Sequence, residues 1–188
     1  MLHLKKMDKM KLDRQWIPDS KRLQEGLSGK EILDFSRRFI ANDFVDVYSM
    51  DNIDMNKIKG KVANSNIASC IINTSDADEI GEHWVAIYIN SGKVEYFDSY
   101  GLPPIQSGVQ NLCHTFATEY EWNDQPVQDI MDQKSVACGY HALFYLYAKQ
   151  CEPNMKLSDI INKYYDSENA RHNDLFAICF IENKKHNQ

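Results

Sequence analysis

Ser135-Val136-Ala137-Cys138-Gly139-Tyr140-His141-Ala142-Leu143-Phe144-Tyr145-Leu146-Tyr147-Ala148 is the stretch on which the chain turns. A small polar residue suited to a helix N-cap leads it, then a cysteine and a glycine, then an almost wholly apolar run. The run is long enough for a helix of several turns and too short to cross a membrane. It predicts a helix buried around most of its circumference, with Cys138 at its N-terminal tip. A thiol there meets the positive end of the helix dipole and unsatisfied N–H groups, which favour thiolate and can hold an oxyanion beside the sulfur. Taken alone, the stretch fits a small, inert, buried hydrophobe equally well.

The 188 residues suffice for one domain with a sizeable core. The formal charge of -6 argues against a default nucleic-acid binder. That charge is uneven: residues 1–22 carry Lys5, Lys6, Lys9, Lys11, Arg14, Lys21 and Arg22 against Asp8, Asp13 and Asp19. The division expected is a basic extension over 1–27, with Trp16-Ile17-Pro18 as an anchor on the body, and a domain over 28–188. No apolar run suits a signal peptide or a membrane span. The five cysteines (Cys70, Cys113, Cys138, Cys151, Cys179) are odd in number and form no CxxC pair. Free thiols in a reducing, intracellular compartment fit better than a disulfide framework or a zinc site, and no metal or other cofactor is expected.

Ser28, with Glu31 three residues on, opens a helical pattern through Ile40 as in a capping box. Phe44–Tyr48, Ile67–Asn73, His83–Ile89 and Lys93–Asp98 read as strands, with a turn signal at Asn90-Ser91-Gly92 between the last two. Asp51–Gly60 reads as loop with room for a short helix, Val109–Tyr120 as helix and Pro126–Ile130 as a short strand. Ser158–Tyr165 reads as helix, and Leu175–Ile181 as a helix end or a last strand. The class is α+β, in one domain.

The hairpin offers a base. A turn about Asn90-Ser91 puts His83 opposite Asp98; a Ser91-Gly92 turn puts Asp98 opposite Val85, diagonal to His83 on the same face. A three-residue turn separates the two residues onto opposite faces unless a bulge intervenes. A carboxylate beside the imidazole would fix its tautomer and stabilise its charged form. His141 rides the same helix as Cys138 and reads as a packed residue, whereas a base must reach the sulfur from outside.

Cys70-Ile71-Ile72-Asn73-Thr74, His83-Trp84-Val85-Ala86, Tyr96-Phe97-Asp98-Ser99-Tyr100-Gly101 and Ser135-Val136-Ala137-Cys138-Gly139-Tyr140 occur in this order. In these motifs the chain resembles the adenovirus-type (adenain) cysteine proteases, within the larger group that includes ubiquitin-like-protein proteases. The closest flavour is that of proteases of virophages and Maverick-type elements. The resemblance implies a central mixed sheet packed on a buried helix bearing the nucleophile. It implies Cys138 as nucleophile, His83 as general base and Asp98 as its orienter, with a glutamine side chain in the oxyanion hole. No glutamine stands at the family's usual spacing. Gln133 is somewhat too close to Cys138 and Gln128 somewhat too far; Gln128, in the more strand-like setting, is preferred.

The implied activity is endopeptidase cleavage at small or glycine-containing sites, with viral capsid precursors as protein substrates. Some members of the family need an activating peptide and DNA. The acidic body argues against a DNA requirement, while the basic head leaves a route for one. The implied location is the host cytoplasm, a viral factory or the nucleus, with packaging into the virion. Cleavage of ubiquitin-like conjugates uses the same residues. Acetyl transfer from acetyl-CoA, known in bacterial effectors of this fold, lacks a basic cluster for the coenzyme's phosphates. A non-catalytic, capsid-associated module would leave Cys138 inert.

Overall fold

A computed structural model describes residues 23–40, 42–79, 81, 83–132 and 135–186. The greater part of the expected basic extension, with the Trp16-Ile17-Pro18 anchor, lies outside the described residues, as does Gln133. The architecture is α+β: a five-stranded mixed sheet with helices on both faces.

The strands are β1 (Phe44–Ser49), β2 (Ile67–Asn73), β3 (Trp84–Asn90), β4 (Lys93–Phe97) and β5 (Tyr120–Trp122), lying side by side in chain order. β1 and β2 are parallel, β2–β3 and β3–β4 antiparallel, and β4 and β5 parallel. Alternate side chains of a strand face opposite ways, so a central strand covered on both faces must be apolar throughout. β3 obeys this. Ala86 and Tyr88 pack on one face against α4 (Cys138–Cys151), α1 (Gly29–Phe39), α5 (Leu157–Tyr164) and α6 (Ala170–His186). Val85, Ile87 and Ile89 pack on the other against α2 (Met55–Ser65) and α3 (Ser107–Phe116).

The central helix α4 is buried around nearly its whole girth, between β3 and α6. Each large apolar side chain so buried, such as Leu143 or Phe144, contributes about 1.5–3 kcal/mol. Its N-terminus departs from expectation. The helix starts at Cys138 with Ala137 at the cap position and no side-chain cap. The Ser135 hydroxyl instead donates to Asp174 Oδ2 at 2.7 Å. A capping serine and a serine bonded to a distant carboxylate look alike in sequence.

The capping box at Ser28 and Glu31 is formed on both sides. Three other segments differ from their sequence reading, and a fourth is settled between its two alternatives. Residues 55–65 form a full helix, capped by Asp54 at its start and by Asn66 in the left-handed conformation at its end; only Ile58 is buried, so its apolar signal is faint. α3 stops at Phe116, and the next residues add β5 beside β4. Pro126–Ile130 is not a strand; the Val127 and Gln128 N–H groups both donate to the Ser99 carbonyl. Leu175–Ile181, open between helix and strand, lies inside the helix α6.

Candidate active site

The β3–β4 turn fixes the register. Ser91 and Gly92 both have positive φ, 52° and 79°, which matches the two-residue hairpin turn whose twist suits the strands. Asn90 pairs with Lys93 and Ala86 with Phe97, so Asp98 stands level with Val85 and diagonal to His83. This is the second of the three registers open from sequence. His83 Nε2 donates to Asp98 Oδ1 at 2.8 Å, and both residues are buried.

Asp98 is held from several directions. Its Oδ1 also accepts from Tyr100 N at 2.7 Å, and Tyr96 Oη donates to Oδ2 at 3.4 Å. Its own N–H donates to Asn123 Oδ1 at 2.9 Å. The turn behind it depends on Gly101, at φ 73°, where a Cβ would meet the Gln125 carbonyl carbon at 2.6 Å. Asn123 escaped the sequence reading, because nothing in a polar loop marks one asparagine as the support of a carboxylate 25 residues away.

With Nε2 committed to Asp98, the other ring nitrogen of His83 is left over. Nδ1 is buried and makes no hydrogen bond. Besides Asp98, the group that acts on the ring is the Cys138 thiol. Burial alone would lower the imidazole, but the Asp98 carboxylate and the Cys138 sulfur outweigh it and push the ring up to about 9.

Cys138 occupies the first helical position of α4, where backbone N–H groups have no intrahelical partner. Gly139 lets the helix tip sit tight: a Cβ there would lie 3.3 Å from Ile32 Cδ1, Leu27 Cβ and Trp84 Cδ1. Trp84, next to His83, donates its indole N–H to Leu27 O at 3.0 Å, tying β3 to the approach to α1 beside the tip of α4. All five cysteines are free thiols. Burial raises the Cys70 thiol far above its usual range and pushes Cys113 up to about 12.

Gln128 is fully buried. Its Nε2 donates to Ser135 Oγ at 2.8 Å and Ser135 O at 3.3 Å, which places the amide beside the segment leading into Cys138. Its Oε1 accepts from Ser99 Oγ at 2.7 Å, one residue after Asp98. His141 is packed, with Nε2 donating to Asp174 Oδ1 at 2.8 Å. Among the described residues, no group of three or more His, Cys, Asp or Glu side chains is placed to hold a metal ion. No helix among them is long and apolar enough to cross a membrane.

A buried imidazole gripped by a carboxylate, with a cysteine at a helix tip acting on its other side, is an arrangement suited to nucleophilic catalysis. The chain is similar to viral cysteine proteases. It is 29% identical over 138 residues to a protein named SUMO-1 cysteine protease from a South African tick isolate of African swine fever virus, a match covering 63% of this chain and 48% of the relative. It is equally similar, over the same shares, to a protein named cysteine protease from the Vero-adapted Badajoz strain of that virus. The chain thus spans about half the length of the curated relatives it matches. No family model matches it. Among solved structures it is similar to the crystal structure of the African swine fever virus protease, at TM-score 0.49 and 20% identity, over 86% of this chain and 70% of that one. A second likeness is to an AvrA deletion variant with IP6 and CoA, at TM-score 0.45 and 10% identity, over 80% and 66%.

Proposed function

We propose that the chain is a cysteine endopeptidase in which Cys138 is the nucleophile, His83 the general base and then acid, Asp98 its orienter and Gln128 an oxyanion donor. The observation that carries this is the division of labour on the His83 ring, Nε2 bound to Asp98 and a buried Nδ1 left free of hydrogen bonds. In the reaction the Cys138 proton resides on His83 Nδ1 as a thiolate–imidazolium pair, and the thiolate sulfur bonds to the peptide carbonyl carbon as the C=O electrons move to oxygen. The C–N bond then breaks as His83 returns the proton to the amine. Water, deprotonated by His83, adds to the thioester, and the S–C bond breaks to restore the thiol. The oxyanion formed at each addition is met by the Cys138 N–H and the Gln128 amide.

The substrates we assign are viral structural precursors, cut at small or glycine-containing sites inside the infected cell or the particle. Kinship with virophage and Maverick-type proteases rests on the motif pattern, and the assignment of 28–188 as the protease domain on the span of the motifs. A second reading, release of a ubiquitin-like protein from its conjugates, is favoured by the SUMO-1 protease name that several of the relatives carry. The experiment is to incubate wild type and Cys138→Ala with candidate capsid precursors and with a SUMO conjugate, each with and without added DNA. Cleavage by wild type alone supports the protease, and the substrate that is cut separates the two readings. Equal processing by both forms, or by neither, overturns it.

A further inference from the structure

Beside the candidate oxyanion glutamine lies a second buried His–carboxylate pair, distinct from His83 and Asp98. His141 is wholly buried, and Asp174, on the first turns of α6, is 8% exposed. Asp174 Oδ1 accepts from His141 Nε2 at 2.8 Å, and its Oδ2 accepts from Ser135 Oγ at 2.7 Å. The Asp129 N–H also leans on this carboxylate, at 3.3 and 3.4 Å. Ser135 in turn meets Gln128, which meets Ser99. The chain of bonds runs from α6 to the residue following Asp98.

We propose that Asp174 and Ser135 are positioning residues that set the direction of the Gln128 amide, turning its N–H end toward the tip of α4. This deepens the protease reading above and rests on it. An ionised carboxylate only accepts, so the single proton of Ser135 is given to Asp174. The Ser135 oxygen is then left with lone pairs alone, and it calls for a donor. The Ser135 carbonyl, also facing the amide, is likewise acceptor-only. Two acceptors on one side admit the NH₂ end of Gln128 and reject the carbonyl end. The Ser99 hydroxyl, donating to Oε1, secures the opposite end. His141 holds the carboxylate in place from within α4, three residues from Cys138, so nucleophile and amide are registered to the same helix.

The test separates acylation from simple thiol reactivity. p-Nitrophenyl acetate needs both sulfur and oxyanion hole and carries no sequence preference, whereas iodoacetamide alkylation needs the sulfur alone. Asp174→Asn, whose NH₂ can donate to Ser135 and so release the Ser135 proton toward Gln128, is expected to slow acylation on the order of tenfold, short of the roughly 10²-fold for losing the donor outright. Alkylation of Cys138 should stay within about twofold. Ser135→Ala should behave alike and carries the test if Asp174→Asn does not fold. In a Gln128→Ala background Asp174→Asn should add nothing further, since it acts through that side chain. Acylation unchanged in Asp174→Asn and Ser135→Ala, acylation and alkylation falling together, or additive losses with Gln128→Ala would overturn the inference and leave the protease reading standing. Wild type no faster on p-nitrophenyl acetate than Cys138→Ala would defeat both.

Discussion

The His83 imidazole lies flat against the Tyr100 ring, with centroids 4.2 Å apart and planes within 7° of parallel. Tyr100 also gives its backbone N–H to the carboxylate that grips His83. One residue therefore controls both the plane of the imidazole and the aim of its partner. Ring stacking of this kind contributes about 0.5–1.5 kcal/mol beyond simple burial. Tyr100→Phe, which keeps the stack, is expected to retain kcat within about twofold, and Tyr100→Ala to lose about tenfold. Both variants should melt within a few degrees of wild type, so kcat rather than Tm is the quantity to measure. Equal kcat in the Phe and Ala forms would show that the stack does not orient the ring.

The raised imidazole makes a pH prediction. Burial opposes the charge on His83, but Asp98 and Cys138 prevail and the folded value sits at about 9, above the ordinary 6.5. Stability drawn from this group is therefore complete below pH about 6.5 and is lost as pH rises through about 9. Imidazole NMR should show His83 titrating near 9 in wild type, and lower in Asp98→Asn and in Cys138→Ser. Urea unfolding at pH 6 and pH 9.5 should show a smaller loss of stability in Asp98→Asn than in wild type. A wild-type midpoint near 6.5 would contradict the arrangement.

Lys149 is buried on α4, with Nζ 2.9 Å from Glu95 of β4 and 2.6 Å from the Met155 carbonyl, over the Tyr88 ring. Tyr145 also donates to Glu95. Removing one member of such a pair strands the other, so Lys149→Met should cost about 3–5 kcal/mol in chemical denaturation. Replacing both, with Lys149→Met and Glu95→Leu, should recover most of that. A double variant no more stable than the single would show that this pair is favourable in itself.

Gly139→Ala sets two effects against each other. Alanine gains about 1 kcal/mol in helix propensity, while three atoms at 3.3 Å impose an overpacking cost of about 1–3 kcal/mol. Overpacking wins, and the net loss should be modest in Tm. Activity should fall more, because the crowded atoms belong to Trp84, beside the proposed base, and to Leu27 and Ile32 against the tip that bears the proposed nucleophile. A variant of full activity would show that the tip has room to give.

Much of this geometry was readable where it is local. The Ser28–Glu31 box, the apolar runs of β2 and β3 and the turn signal at Asn90-Ser91-Gly92 all announce themselves within a few residues. Sequence narrowed the hairpin to three registers, and the paired positive φ angles select one. What stayed hidden is long-range. Asp174 stands 39 residues from Ser135 and 33 from His141, with no periodicity linking them. β5 is three residues long, too short for alternation to show, and exists because β4 offers it an edge. Ser135 was misread because its hydroxyl suits either a helix cap or a distant acid, and only tertiary packing chooses.

The burial of α4 between β3 and α6 bears on how the protein is made. His83 and Asp98 lie on a hairpin complete by residue 98, whereas the helix carrying the sulfur is largely apolar and is covered by α6. His141 and Asp174 clasp those two helices together. His83 and Asp98 are therefore synthesised long before the helix that covers the thiol. Ribosome-stalled chains ending before Ala170 should leave Cys138 no more reactive toward iodoacetamide than an unfolded thiol, and chains that include α6 should restore the difference. The order of elements along the chain thus works as a timer, in which the thiol is seated only after His83 and Asp98 have been made.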